Sequence, residues 1–314
     1  MKIGCFLSSE ENGPRALVDQ ARRATDAGFH ALWISDHYHP WIDEQGHSPF
    51  VWSAIGAISE VTDLPLTTGV TCPTIRIHPA VVAQAAATSA VLLGEGRFKL
   101  GVGTGEALNE HILGGAWPEA DVRLEMLEEA IEVMRLLWQG GQQSHRGTYY
   151  TVQNARLYDL PDAPPPVLVS GFGPKAISLA ARVGDGFCTA SPDADGIERY
   201  RSEGGKGPVH AGAKVCFMAD EEEARATAHR LWPNEGLEGE LAQILPTPAH
   251  FSQATELVTP DMISMPVGPD IDAHIEALRA YEQAGIDELF VQPVGPTEDD
   301  FFATWGPKVT AAFG

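Results

Sequence analysis

The chain has 314 residues, long for one domain but within the range of a single α/β barrel, and 44% are hydrophobic, ample for a large core. Its formal charge of −22 argues against nucleic acid or an anionic membrane surface as a partner, and no apolar run approaches the roughly 18 residues of a membrane span. The opening MKIGCFLSSEENG reads as a strand rather than a secretory signal, and four cysteines without CxxC spacing (Cys5, Cys72, Cys188, Cys216) read as reduced, buried thiols of a cytoplasmic protein.

In chain order, short β-branched runs alternate with longer amphipathic ones, the pattern of parallel βα units. A strand over 2–8 (KIGCFLS) precedes a helix that has Pro14 at its first position and ends on Gly28. A strand over 30–35 (HALWIS) precedes the helical run VWSAIGAISEVT, and one over 66–72 (LTTGVTC) precedes the alanine-rich AVVAQAAATSAVLLG. After the fourth strand, 97–103, the run DVRLEMLEEAIEVMRLLW repeats Val122, Met126, Ala130, Val133 and Leu137 at helical spacing. An extended, turn-rich stretch then delays the fifth strand, 166–170 (PVLVS). The sixth (186–190) and seventh (210–218) follow, then about 35 residues of short helix and loop, the helix IDAHIEALRAYEQAG, the eighth strand (288–292) and a last helix.

Eight strands with intervening helices predict a TIM-like (β/α)8 barrel, a single domain over 1–314 with insertions at about 139–165 and 232–266. A doubly wound sheet is the alternative, but the turn after the first strand, SSEENG, lacks the glycine-rich dinucleotide fingerprint.

A barrel of this kind carries its active site at the C-terminal ends of its strands, and four unusual stretches fall on that face: DHYHPW, GVTCPT, GTGEALNE and SGFGPK. In SGFGPK (170–175), two glycines and a proline at a helix start form an anion site that needs no basic side chain, or else simply a tight turn. Glu106, beyond a glycine turn, is either a proton donor or acceptor in a dry mouth or an ordinary loop acid. In DHYHPW, His37 and His39 form an HxH pair, but the later strand ends supply no further histidine for a metal. Two readings remain for this motif. Asp36 caps a turn over packed rings, or Asp36 holds a cofactor while His37 acts as a base beside an aromatic wall.

The motifs SDHYHPW, GVTCPTIRIHPAVVAQA, GVGTGEALNEH and GDGF, in this order and spacing, resemble the luciferase-like flavin and deazaflavin oxidoreductases. More narrowly, the chain resembles their glucose-6-phosphate-dehydrogenase-like branch, which uses the deazaflavin coenzyme F420; the resemblance is densest over residues 1 to about 190. It implies a homodimer, with the deazaflavin ring in the barrel mouth against a non-prolyl cis peptide, here Gly69–Val70, where dehydrogenase members have serine in place of the glycine. It implies cofactor contacts from Asp36, Asn109 and the turn Ser170, Gly171, Phe172, Gly173, with phosphate held by that turn. It makes His37 the base for a substrate hydroxyl, Trp41 a wall of the site and Glu106 the group exchanging a proton with the cofactor, and it leaves His39 without a role.

The substrate does not carry over. Sugar-phosphate members grip phosphate with lysines and an arginine, whereas here the sixth-strand loop reads ASPDADG, with Asp193 near the expected lysine, and residues 231–278 contain no lysine or arginine. A neutral alcohol, sugar, carbonyl or enone is therefore expected rather than glucose 6-phosphate. FMN in place of F420 and a non-catalytic cofactor-binding sensor are the rival readings; no metal, nucleic acid or membrane is expected.

Overall fold

The computed structural model describes residues 1–296 and 298–314. Its centre is a closed parallel barrel of eight strands: β1 (Lys2–Leu7), β2 (Leu32–Ile34), β3 (Leu66–Thr68), β4 (Phe98–Val102), then β7 (Val167–Ser170), β8 (Gly186–Thr189), β9 (Val209–Val215) and β10 (Glu288–Pro293). Strands β5 (Gln143–Arg146) and β6 (Thr151–Ala155) form a separate antiparallel hairpin between β4 and β7. The expected barrel is the observed one, strand for strand. The third strand is shorter than its apolar run because the chain bulges at Gly69–Val70, whose peptide bond is cis, and resumes only as a single bridge from Thr71 to Val102.

Helices α1 (Pro14–Asp26), α2 (Val51–Ile58), α3 (Pro79–Leu93), α4 (Ala107–Glu110) and α5 (Ala120–Trp138) follow the first four strands; α6 (Pro174–Val183), α7 (Ala194–Ser202) and α8 (Glu221–Leu231) follow β7, β8 and β9. Short helices α9 (Leu241–Ile244) and α10 (Pro248–Ala254) lie between α8 and α11 (Ile271–Gln283), and the chain closes with a π-helical turn, Phe301–Trp305, and a helix, Gly306–Phe313. No described helix is long and apolar enough to cross a membrane.

Strand alternation sorts every side chain to one of two cores. Ile3, Cys5, Leu7, Val209, Ala211, Val215, Leu289 and Val291 face outward into the helix-covered core. Their neighbours fill the barrel, where Trp33, Leu168, Cys188 and Phe290 form an apolar middle layer with Phe6 and Val70. Small residues make room for the rings: a Cβ on Gly4 would lie 2.4 Å from Phe290, and one on Gly212 would lie 2.9 Å from Trp33.

Below this layer, at the N-terminal end of the barrel, the same alternation buries a polar cluster. Glu288 lies 3.3 Å from Lys99 Nζ, 3.4 Å from His210 Nε2 and 3.3 Å from His30 Nε2. Burial opposes the carboxylate, but its contact with His30 and the charge of Lys99 outweigh it and hold Glu288 below the ordinary carboxylate range. Burial depresses His210 to about 3, so this ring is neutral in the native state.

Both shifts act in the same direction. The unfolded chain takes up protons at His210 below its ordinary 6.5 and at Glu288 below its ordinary 4.5, so stability is lost as pH falls through that window. We expect denaturant-derived stability to decline as pH drops from 6.5 toward 3. We also expect Glu288→Gln, which leaves Lys99 without its carboxylate, to cost on the order of 2 kcal/mol at neutral pH. An unchanged denaturation midpoint in that variant would contradict this account.

Candidate active site

The C-terminal mouth of the barrel opens into a cavity of about 1220 Å3. Of the residues expected to form the site, His37, Trp41, Glu106, the Gly69–Val70 bulge and the Ser170–Gly173 turn all line it.

His37 follows β2, and its backbone carbonyl accepts Ser48 Oγ at 2.7 Å. Its Nδ1 lies 3.1 Å from Glu10 Oε1, at an angle that makes a close ion-pair approach rather than an aligned hydrogen bond. On the other side, Nε2 lies 3.6 Å from Glu106 Oε1. The Trp41 ring stands edge-on to His37 at 5.2 Å and to Phe251 at 5.2 Å, so an aromatic wall runs from the β2 loop to α10. His39 turns away, its Nδ1 2.9 Å from the Leu108 carbonyl. The two rings of the HxH pair thus serve different partners, and among the described residues no group of three His, Cys, Asp or Glu side chains could hold a metal ion.

Glu10 is missing from the expected set. It sits just beyond β1, 2% exposed, and its Oε2 accepts hydrogen bonds from Ser8 Oγ (2.8 Å) and Ser35 Oγ (2.7 Å). Ser9 bonds Ser35 in turn, so three buried serines fix the carboxylate beside the imidazole. The stretch SSEEN has the composition of a solvated turn. Its position at a strand's C-terminal end, the criterion that singled out the other four stretches, was the available signal.

Two expected cofactor contacts have different roles. Asp36 is 2% exposed and off the cavity wall: Thr71 Oγ1 donates to one oxygen at 2.8 Å and Arg76 Nη2 to the other at 2.9 Å. Asn109, 1% exposed, accepts the backbone N–H groups of Tyr38 and His39 at 2.8 Å each through Oδ1 and donates to Glu106 through Nδ2. Both side chains join loops from behind the cavity wall.

Arg76 also reaches Glu110, whose oxygens meet the Arg76 N–H at 2.7 Å and Nε at 3.4 Å. Two buried carboxylates share one guanidinium. Burial raises Glu110 to about 7, with the Arg76 N–H and charge opposing and the charge of Glu106 adding to the rise. Burial, then Glu110, likewise pushes the Cys72 thiol well up, so this cavity-lining cysteine is not a nucleophile at neutral pH.

On the far wall, Pro174 starts α6 directly after Gly173, leaving backbone N–H groups and the positive end of the helix dipole facing the mouth. A Cβ on Gly171 would lie 2.9 Å from Ala176, so close packing of turn on helix requires glycine there. Asp193 does not face a ligand: it caps α7, accepting the Gly196 N–H at 3.0 Å.

The cavity does hold cations that the sequence reading did not assign to it, and each has a partner. Lys175 contacts both oxygens of Asp121 at 2.7 Å, Arg123 donates to the Pro118 carbonyl and Gln243, and Lys214 pairs with Glu235 at 2.7 Å over the Trp232 ring.

Residues 1–288 match the family model described as luciferase-like monooxygenase. Over 325 aligned residues the chain is 35% identical to the F420-dependent glucose-6-phosphate dehydrogenase of Nakamurella multipartita, covering 98% of this chain and 95% of that one. It is 36% identical over 315 residues to the F420-dependent hydroxymycolic acid dehydrogenase of Mycobacterium tuberculosis, covering 96% and 86% of the two chains. A solved structure of an F420-dependent secondary alcohol dehydrogenase with an F420–acetone adduct superposes with a TM-score of 0.89 at 31% identity, over 98% of both chains.

Two substitutions test the packing of the site. A Cβ on Gly69 would lie 2.7 Å from the Trp33 ring, so Gly69→Ser should cost about 1–3 kcal/mol by overpacking, read as a lowered melting temperature. Native Glu110 keeps its proton to a higher pH than the unfolded chain does, so its contribution is full below 4.5 and is lost as pH rises through 7. Glu110→Gln should therefore gain on the wild type across that interval, by roughly 3 kcal/mol in total; a pH-independent difference between the two would refute the shift.

Proposed function

The chain belongs to the luciferase-like monooxygenase family, and from that premise we infer that it is an F420-dependent oxidoreductase, transferring a hydride between F420 and a neutral alcohol, sugar, carbonyl or enone rather than glucose 6-phosphate. The observation that carries the substrate class is that Lys175 and Lys214 are each paired with a carboxylate, so a phosphate monoester would meet only Arg123, held by the Pro118 carbonyl and Gln243, as a cation without a carboxylate contact.

The residues present fit the cofactor. The mouth offers a cavity of about 1220 Å3, the bulge at Gly69 and Val70 offers an apolar surface for a flat ring, and the Ser170–Gly173 turn at the start of α6 offers N–H donors for a phosphate. When bound, F420 supplies the hydride acceptor or donor.

The chain's own residues manage the protons and the geometry. The Glu10 carboxylate favours a proton on His37 Nδ1, which leaves Nε2 as the base that takes the hydroxyl proton of an alcohol; in the reducing direction the same atom returns it. Trp41 and Phe251 exclude water on the substrate side. Glu106, held by Asn109, faces His37 from the opposite side and is the second proton-exchanging group. Asp36 and Asn109 act from behind the wall, fixing the loops that carry His37 and Glu106. We place the enzyme in the cytoplasm, which its four buried cysteines, none in a disulfide, support, and as a homodimer, which the family resemblance supports.

The test is F420 absorbance in the presence of neutral alcohols and carbonyls. We expect turnover by members of that panel and little with glucose 6-phosphate; efficient glucose 6-phosphate oxidation would overturn the substrate class. His37→Ala should retain F420 affinity and lose hydride transfer by roughly 100-fold or more. Micromolar FMN binding without F420 affinity would overturn the cofactor, and F420 binding without turnover of any substrate would favour a sensor.

A further inference from the structure

The cavity has a second polar wall, which the proton chemistry above does not use. Lys214 on β9 and Gln292 on β10 are register partners, and strand alternation turns both into the barrel above Gly212 and Phe290. Gln292 is 1% exposed, and burial raises its partner Glu11 while three N–H donors oppose that rise; with Glu11 ionised the amide faces one way. Its Nε2 donates to Glu11 Oε1 at 2.9 Å; the same oxygen accepts Trp232 Nε1, and Glu11 Oε2 accepts the Gly295 N–H at 3.1 Å. A carboxylate surrounded by N–H donors receives the amide nitrogen, not its oxygen. Gln292 Oε1 therefore points away from Glu11, and it is buried without a hydrogen-bond partner. It is one of twelve buried side-chain atoms without a partner among the described residues, and it belongs to a residue of the cavity wall, where a donor from a ligand would satisfy it.

Beside it on the neighbouring strand, the Lys214 ammonium lies 2.7 Å from Glu235 and 4.1 Å from the centroid of the Trp232 ring. Its charge is balanced, yet it has three protons, and Glu235 takes one. A phosphate or carboxylate would find no free charge here and would bring no proton for Gln292. A ketone or ether brings no proton either. A hydroxyl group satisfies both sides, donating to Gln292 Oε1 and accepting from Lys214 Nζ. Asn234 on the same wall also has a buried side-chain oxygen without a partner.

We propose that Gln292 and Lys214 form a subsite for a second hydroxyl group of the substrate, so that the preferred substrates are neutral diols, polyols or hydroxy-carbonyl compounds rather than plain alcohols. This rests on the reading of the cavity as the substrate site of an F420-dependent oxidoreductase. The subsite joins the reacting end of the cavity through consecutive residues of one loop: Glu10 orients His37, and Glu11 orients Gln292.

The experiment compares butane-2,3-diol with butan-2-ol in two readouts. One is kcat/KM for F420 reduction; the other is the melting-temperature shift that each alcohol produces in cofactor-free protein. The wild type should favour the diol on the order of tenfold or more in kcat/KM, and Gln292→Met should bring that ratio to within about twofold. Should Gln292→Met fail to fold for want of its bond to Glu11, Lys214→Met removes the other half of the subsite and should narrow the ratio in the same way. A wild-type ratio near one, or a ratio that survives both variants, overturns the proposal. If neither alcohol is turned over, the proposed reaction fails, and the melting shift decides the subsite alone. A larger shift with the diol in wild type that vanishes in the variants upholds it, and equal shifts refute it.

Discussion

The guanidinium of Arg76 sets the distances on which the site depends. It binds Asp36, which immediately precedes His37, and Glu110, the last residue of the helix that Glu106 begins. Arg76 itself follows the bulge after β3, and Thr71 from that bulge holds the second oxygen of Asp36. Three loops, leaving β2, β3 and β4, are thus tied to one buried cation. The 3.6 Å approach of His37 to Glu106 is a consequence of that tie, reinforced by Asn109, which bonds both loops at once. Side chains at flexible strand ends hold such a spacing only when ordering is imposed from behind, and here that ordering comes from groups with almost no exposure to water.

The barrel interior separates two polar regions by a dry aromatic layer. Trp33 packs at 5.2 Å against Phe290 and 5.4 Å against Phe6, closing the floor of the cavity. Beneath it, His30, His210 and Lys99 gather around the Glu288 carboxylate; above it, His37 and its two carboxylates line the open cavity. Histidines on the same strands and loops therefore have opposite fates, decided by which side of the Trp33 layer they occupy. The lower cluster is shut inside the fold, while the upper one lines the cavity.

Much of this was legible in the sequence, for reasons that also explain the gaps. Parallel strands buried on both faces leave continuous β-branched runs, so the eight barrel strands stood out, and the strand-end rule brought together His37, Trp41, Glu106 and Ser170–Gly173. Glu10 escaped because the environment that buries it is completed by Ser35, 25 residues away, which joins the neighbouring Ser8 on its carboxylate. Asp36 was placed in the right loop, but nothing local indicates that Arg76, 40 residues on, consumes its carboxylate. Lys214 and Gln292 each read as one polar residue in an apolar strand; only the register between β9 and β10 makes them a pair, and only Glu11, 281 positions from Gln292, orients the amide.

The segment between α8 and α11 builds one side of the cavity through its side chains: Phe251 against Trp41, Gln243 on Arg123, Trp232 on Glu11, and Trp232 and Glu235 around Lys214. None of its residues takes part in the barrel's strands, and the Arg76 tie lies wholly outside it. One wall of the cavity is therefore exchangeable in a way the others are not. Retargeting the enzyme by design would start with this segment, because its loops can be rewritten while His37, Glu10 and the Ser170–Gly173 turn keep their supports.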